Sequence, residues 1–131
     1  MVVTGHSPTR ATALTQLLKA QGFDPTVFPV AGEPTTEDVV LGQRTARQAE
    51  SQSVVAIGGG SPIDAGKAIA ALLANPGDPL DYLEVVGRGQ PLRERSIPFV
   101  TIPTTAGTGA EVTRNAVLSV PEKREIGRAH V

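Results

Sequence analysis

At 131 residues, the chain has the length of one domain and not of a large two-domain enzyme. Its 40% hydrophobic and 19% charged content is that of an ordinary globular protein, and a net charge of −1 with 3% aromatics argues against nucleic-acid and membrane-surface partners. The absence of cysteine excludes disulfides, thiolate nucleophiles and Cys-based zinc sites, and no apolar run nears the ~20 residues of a membrane span.

The opening Met1-Val2-Val3-Thr4 reads as the end of a buried strand stopped by Gly5. It lacks the basic and long apolar regions of a signal peptide, so a cytoplasmic location is expected. A helix is predicted over about residues 9–21, with Leu14, Leu17 and Leu18 as its apolar stripe and Gly22 past its end. Residues 26–30 read as a second strand, in which Pro29 marks an edge position or the strand's end. Thr35 or Thr36 caps a second helix running to about Ser51, with Glu37 and Asp38 in its first turn. Residues 53–57 form a continuous apolar run, as expected of a strand covered on both faces. Three glycines follow, then a helix from Ser61 that Asn75-Pro76-Gly77 stops. Residues 80–89 suggest one short helical turn, and residues 98–102 another strand. The segments 112–113 and 116–120 begin a hairpin. This alternation of strand and helix predicts an α/β fold, a Rossmann-like doubly wound parallel sheet with its strand-to-helix loops at one edge.

The most informative stretch is Gly58-Gly59-Gly60-Ser61-Pro62-Ile63-Asp64-Ala65-Gly66-Lys67. Glycines let the backbone approach a bulky anion, and the first amides of a helix lack partners and favour negative charge. Ser61 suits the N-cap, Pro62 the first helical position and Asp64 the third, while Lys67 is one turn further on, within reach of an anion or the substrate pocket. Two phosphate motifs fail. Ile63 stands where the third glycine of GxGxxG belongs, and the Walker A spacing and its Ser/Thr are absent. A second run, Pro103-Thr104-Thr105-Ala106-Gly107-Thr108-Gly109-Ala110-Glu111, also follows a strand. On the same sheet edge, its hydroxyls and amides would hold a pyrophosphate or a carboxamide from another side.

These two runs, with Leu80-Asp81-Tyr82-Leu83-Glu84 between them and Val112-Thr113-Arg114-Asn115-Ala116-Val117 after, closely resemble the iron-containing (group III) alcohol dehydrogenases. The resemblance covers residues 1 to about 124. It implies the N-terminal domain of a dehydroquinate-synthase-like two-domain fold, whose C-terminal helical domain is absent here. Carried over, Gly59, Gly60 and Ser61 would hold the pyrophosphate of NAD or NADP. Asp64 and Lys67 match the family's Asp and Lys on that helix and are expected among the cofactor-binding residues. Thr104 and Thr105 would contact the dinucleotide, and Thr108 its phosphate or nicotinamide side. Thr4 and Gly5 match the turn near the adenosine ribose. Many relatives carry Asp where Gly5 stands; that Asp binds the ribose 2′-OH and repels a 2′-phosphate. With Gly5, NAD and NADP both stay open, and Glu33 is an alternative ribose contact.

The family's metal, Fe²⁺ or Zn²⁺, is held by one Asp and three His of the C-terminal domain. This chain has only His6 and His130, and His6 reads as a surface turn residue. The expectation is a NAD(P)-binding domain over residues 1–125, inactive alone, from a homo-oligomeric parent that oxidises an alcohol to an aldehyde. Alternatives are a non-catalytic nucleotide-binding module, or a maleylacetate reductase, glycerol dehydrogenase or dehydroquinate synthase type of enzyme. Residues 126–131 read differently. Ile-Gly-Arg-Ala-His-Val is what ATC GGA AGA GCA CAC GTC encodes, a string resembling a short-read sequencing adapter, so a non-native tail is expected there.

Overall fold

The computed structural model describes Met1–Val131. Four parallel strands, β1 (Val2–Thr4), β2 (Val27–Pro29), β3 (Val54–Gly58) and β4 (Phe99–Pro103), form a sheet in the order β2-β1-β3-β4. The helices between them are α1 (Thr12–Ala20), α2 (Thr36–Gln48) and α3 (Gly60–Ala74). Right-handed crossovers place α1 on one face of the sheet and α2 and α3 on the other. A short α4 (Pro79–Tyr82) follows α3, and an antiparallel hairpin, β5 (Asn115–Val120) with β6 (Glu125–His130), closes the chain. No helix is long and apolar enough to cross a membrane.

Local chemistry sets these elements. Thr35 and Asp38 form a reciprocal capping box: the Asp38 amide donates to Thr35 Oγ1 at 3.0 Å and the Thr35 amide to Asp38 Oδ2 at 2.9 Å. Of the two threonines considered as the cap, Thr35 is the one. α2 presents Val39, Gly42, Gln43 and Ala46 to the interior, and the buried Gln43 amide donates to the Leu72 carbonyl at 2.6 Å, joining α2 to α3. α3 is the central element. It packs on α2, on β1, β3 and β4, and on β5, so its residues are buried nearly all round, with Ile63 and Ile69 fully enclosed. Truncating either isoleucine to alanine would cost about 2–5 kcal/mol.

Several expectations are corrected. The first helix is divided: Pro8–Ala11 is a 3-10 turn, and α1 proper begins at Thr12. No α1 residue is buried, and Leu17 is 59% exposed, so the leucine stripe does not reach the core. β3 is not covered on both faces alike. Val54 and Ala56, under α3, are fully enclosed, whereas Val55 and Ile57 are half-buried. Pro29 does lie on an edge strand. Residues 112–113 are not part of the hairpin, whose second strand is formed by residues 125–130, with Gly127 and Ala129 buried.

Asn75 stops α3, and it does more. Its buried amide accepts from the Arg93 and Glu94 amides at 2.9 and 2.8 Å and donates to the Ala71 and Glu94 carbonyls at 3.0 and 2.8 Å. All its hydrogen-bonding capacity is used, and the long connection to β4 is tied to the end of α3.

Candidate functional site

The site is built where β3 becomes α3. Gly58 has φ 146°, and a Cβ there would lie 2.5 Å from Pro62 Cγ, so only glycine fits on both counts. Gly59, not Ser61, is the N-cap, and Gly60 is the first helical residue. The expected Ser61 cap is therefore displaced by two residues: the extended backbone of Gly59 lets the helix start before any hydroxyl is available. Ser61 sits inside the first turn with Pro62 after it. The Ile63 amide reaches the Gly59 carbonyl at 3.4 Å, while the amides of Gly59, Gly60 and Ser61 have no acceptor within the chain. Three half-exposed N–H groups thus cluster at the positive end of a 15-residue helix.

The second run lies over this turn. The Thr104 amide donates to the Gly58 carbonyl at 2.8 Å. A Cβ on Gly59 would stand 3.2 Å from Thr105 Oγ1, and one on Gly60 would stand 3.8 Å from Thr108. Gly5 ends β1, which is paired to β3 with Thr4 opposite Ile57. Gly5, Gly58–Ser61 and Thr104–Thr108 therefore gather at the carboxyl ends of three adjacent strands. The strand order reverses between β1 and β3, which is where open α/β sheets bind ligands. Thr4 is enclosed and its hydroxyl donates to the Gly5 carbonyl at 3.0 Å, shaping the turn from below, while a Cβ on Gly5 would meet nothing within 4 Å.

Asp64 and Lys67 sit behind the turn. Lys67 is 7% exposed, and its ammonium lies 3.2 Å from Asp64 Oδ1. It donates to the Thr113 carbonyl at 3.2 Å, to Thr113 Oγ1 at 3.4 Å and to the Asn115 carbonyl. Burial pushes the Asp64 carboxyl above its ordinary range; the Lys67 charge and a hydrogen bond from the Val117 backbone pull it back only in part.

Gly66 is a site residue that motif matching misses. A Cβ there would stand 2.9 Å from both Ala56 Cβ and Phe99 Cε2, so Gly66 lets α3 lie close on β3 and β4. That is the role of the third glycine in the dinucleotide fingerprint, moved three residues along the helix from Ile63. The small-residue pair Ala65-Gly66 is the signal that could have found it.

Other features are separate. A cleft of about 500 Å³ is lined by Tyr82, Glu84, Arg93, Arg114 and His130 and includes no residue of the glycine turn. His6 is exposed, and His130 lies 3.3 Å from Glu84. No three His, Cys, Asp or Glu side chains come together as a metal site would need, so the residues present do not fit a catalytic metal.

The family model for iron-containing alcohol dehydrogenases matches residues 1–130. A 4-hydroxybutyrate dehydrogenase of Cupriavidus necator is 33% identical over 96% of the chain and 32% of its own length. A probable alcohol dehydrogenase, EutG, of Salmonella typhimurium is 39% identical over 86% of the chain and 28% of its own length. The crystal structure of sulfoacetaldehyde reductase from Bifidobacterium kashiwanohense in complex with NAD+ superposes with a TM-score of 0.86 at 29% identity, covering 98% of the chain and 34% of that protein. An iron-containing alcohol dehydrogenase from Thermotoga maritima gives a TM-score of 0.82 at 32% identity, covering 99% and 36%. The chain thus spans about a third of the length of the relatives it matches.

Proposed function

The chain belongs to the iron-containing alcohol dehydrogenase family, and on that premise we propose that it is the part that binds NAD or NADP in an enzyme interconverting an alcohol and an aldehyde. The observation that carries this reading is the set of three unpartnered amides at Gly59, Gly60 and Ser61, with Thr105 and Thr108 beside the glycines and Thr104 hung from the Gly58 carbonyl. Such amides suit a diphosphate, whose oxygens accept N–H and O–H hydrogen bonds without a countercharge. The bound dinucleotide supplies a nicotinamide C4 that takes or returns hydride. The chain's residues bind and orient it. The glycine turn grips the diphosphate, the threonines hold it from the side, and the open end of β1 at Gly5 lies toward the ribose.

The test is a fluorescence titration of NADH and NADPH against the chain and its Gly60→Val variant. A Cβ at Gly60 would meet Thr108 at 3.8 Å, an ordinary van der Waals contact, and its φ is not in the left-handed region, so the fold accepts a side chain there. Circular dichroism should therefore be unchanged while binding weakens about ten-fold or more, as blocked charge-assisted bonds imply. Equal binding by the two proteins would refute the phosphate role of the turn.

A further inference from the structure

We propose that Lys67 is a positioning residue for the threonine loop, fastening its far end to α3 as the Thr104–Gly58 hydrogen bond fastens its near end. The inference deepens the dinucleotide reading above and rests on it. Lys67 has three N–H groups and four acceptors around them: Asp64 Oδ1, Thr113 O and Oγ1, and Asn115 O. The ammonium has no donor left for a ligand. It also lies seven residues beyond Gly60, about 10 Å along the helix from the free amides.

The loop has few ties of its own. Thr104 to Thr108 are exposed, and Gly107 and Gly109 take positive φ. Inside it, Val112 and Thr113 both donate to the Gly109 carbonyl, and Ala110 donates weakly to Thr108 Oγ1 at 3.4 Å. These bonds close a local turn but do not hold it to the sheet. Ala110 anchors its middle in the core, and the two clips hold its ends, both on the single β3–α3 unit. They fix Thr105 and Thr108 relative to the amides of Gly59, Gly60 and Ser61. Asp64 holds the ammonium in place and balances its charge inside the fold.

The experiment uses the 131-residue chain and the double variant Asp64→Asn/Lys67→Met, which leaves no unpaired buried charge. Lys67→Gln, which keeps two donors, is the second variant. In the ligand-free chain, hydrogen exchange of amides 105–113 is expected to quicken about ten-fold or more in the double variant, with β1 and β3 amides unchanged. Lys67→Gln should fall between the two. NADH binding should weaken with its salt dependence unaltered. Unchanged loop exchange in both variants overturns the proposal. So does weaker binding with a flatter salt dependence and a loop left intact, since that marks a direct phosphate contact. Loop exchange is read without ligand. Equal NADH binding by wild type and Gly60→Val would therefore defeat the dinucleotide reading while still deciding the role of Lys67.

Discussion

The Thr104 amide donates to the Gly58 carbonyl at 2.8 Å, so the loop after β4 hangs from the same peptide that opens the turn after β3. Gly58 is the pivot of both. Gly58→Ala would place a Cβ 2.5 Å from Pro62 Cγ on a backbone at φ 146°. Strain and overlap together predict a loss of about 2–4 kcal/mol in urea unfolding. A loss below about 0.5 kcal/mol, the range of an ordinary surface change, would mean that the turn is not built as described.

Gly66→Ala tests the close approach of α3 to the sheet. The added methyl meets Ala56 Cβ and Phe99 Cε2, both at 2.9 Å. A cost of about 1–3 kcal/mol is expected for overpacking. Phe99→Leu in the same chain should recover part of it, because the ring edge is half of the obstruction. Strictly additive single and double variants would show that Gly66 and Phe99 do not meet.

The raised Asp64 carboxyl makes a pH prediction. Its folded-state value lies above the ordinary 3.8 because of burial. The folded state therefore prefers the protonated form, and this group's contribution is fully present below the ordinary value. It is lost as pH rises through the native value. The stability of wild type minus that of Asp64→Asn should decline across that window and level off above it. A difference that grows with pH would reverse the sign and show the ion pair with Lys67 to dominate desolvation.

Gly5 offers a cofactor switch. A Cβ there meets nothing within 4 Å, and its φ is not in the left-handed region, so Gly5→Asp is tolerated by the fold. A carboxylate at the end of β1 would accept from a ribose 2′-OH and repel a 2′-phosphate. The ratio of NADPH to NADH dissociation constants should rise about ten-fold. An unchanged ratio would place the ribose elsewhere.

Much of the fold is legible in the sequence, because strand, helix and glycine punctuation follow local rules. The Thr35 cap, the Asn75 stop and the edge position of Pro29 are all of this kind. The glycine turn is legible too, but its inner details are not. Ser61 is a better cap by type than Gly59, yet the extended Gly59 backbone sets the helix start. Gly66 and Lys67 take their roles from Phe99, Thr113 and Asn115, which are distant in sequence. The exposure of Leu17 is likewise invisible to periodicity, which says that a helix has an apolar side but not what covers it.

Residues 126–130 pair with β5 through the backbone, and Glu84 adds a bridge to Arg128 and ion pairs to Arg128 and His130. The family match runs through residue 130; because ATC GGA AGA GCA CAC GTC encodes the last six residues, we propose an adapter origin for them. Resequencing the source DNA across Lys123 should give other codons from position 126. A clean genomic read of the same six residues would end that proposal.

The two flanks of the sheet are unequal. β2 is three residues long and carries Pro29, which blunts it, whereas β4 is five residues long with Val100 53% exposed and no strand beyond it. An unprotected flank of this kind is a template on which identical chains can stack. Handled alone and concentrated, the protein should go out of solution as ordered β-rich assemblies nucleated at β4. A lysine at position 100 is the gatekeeper that would keep it dispersed.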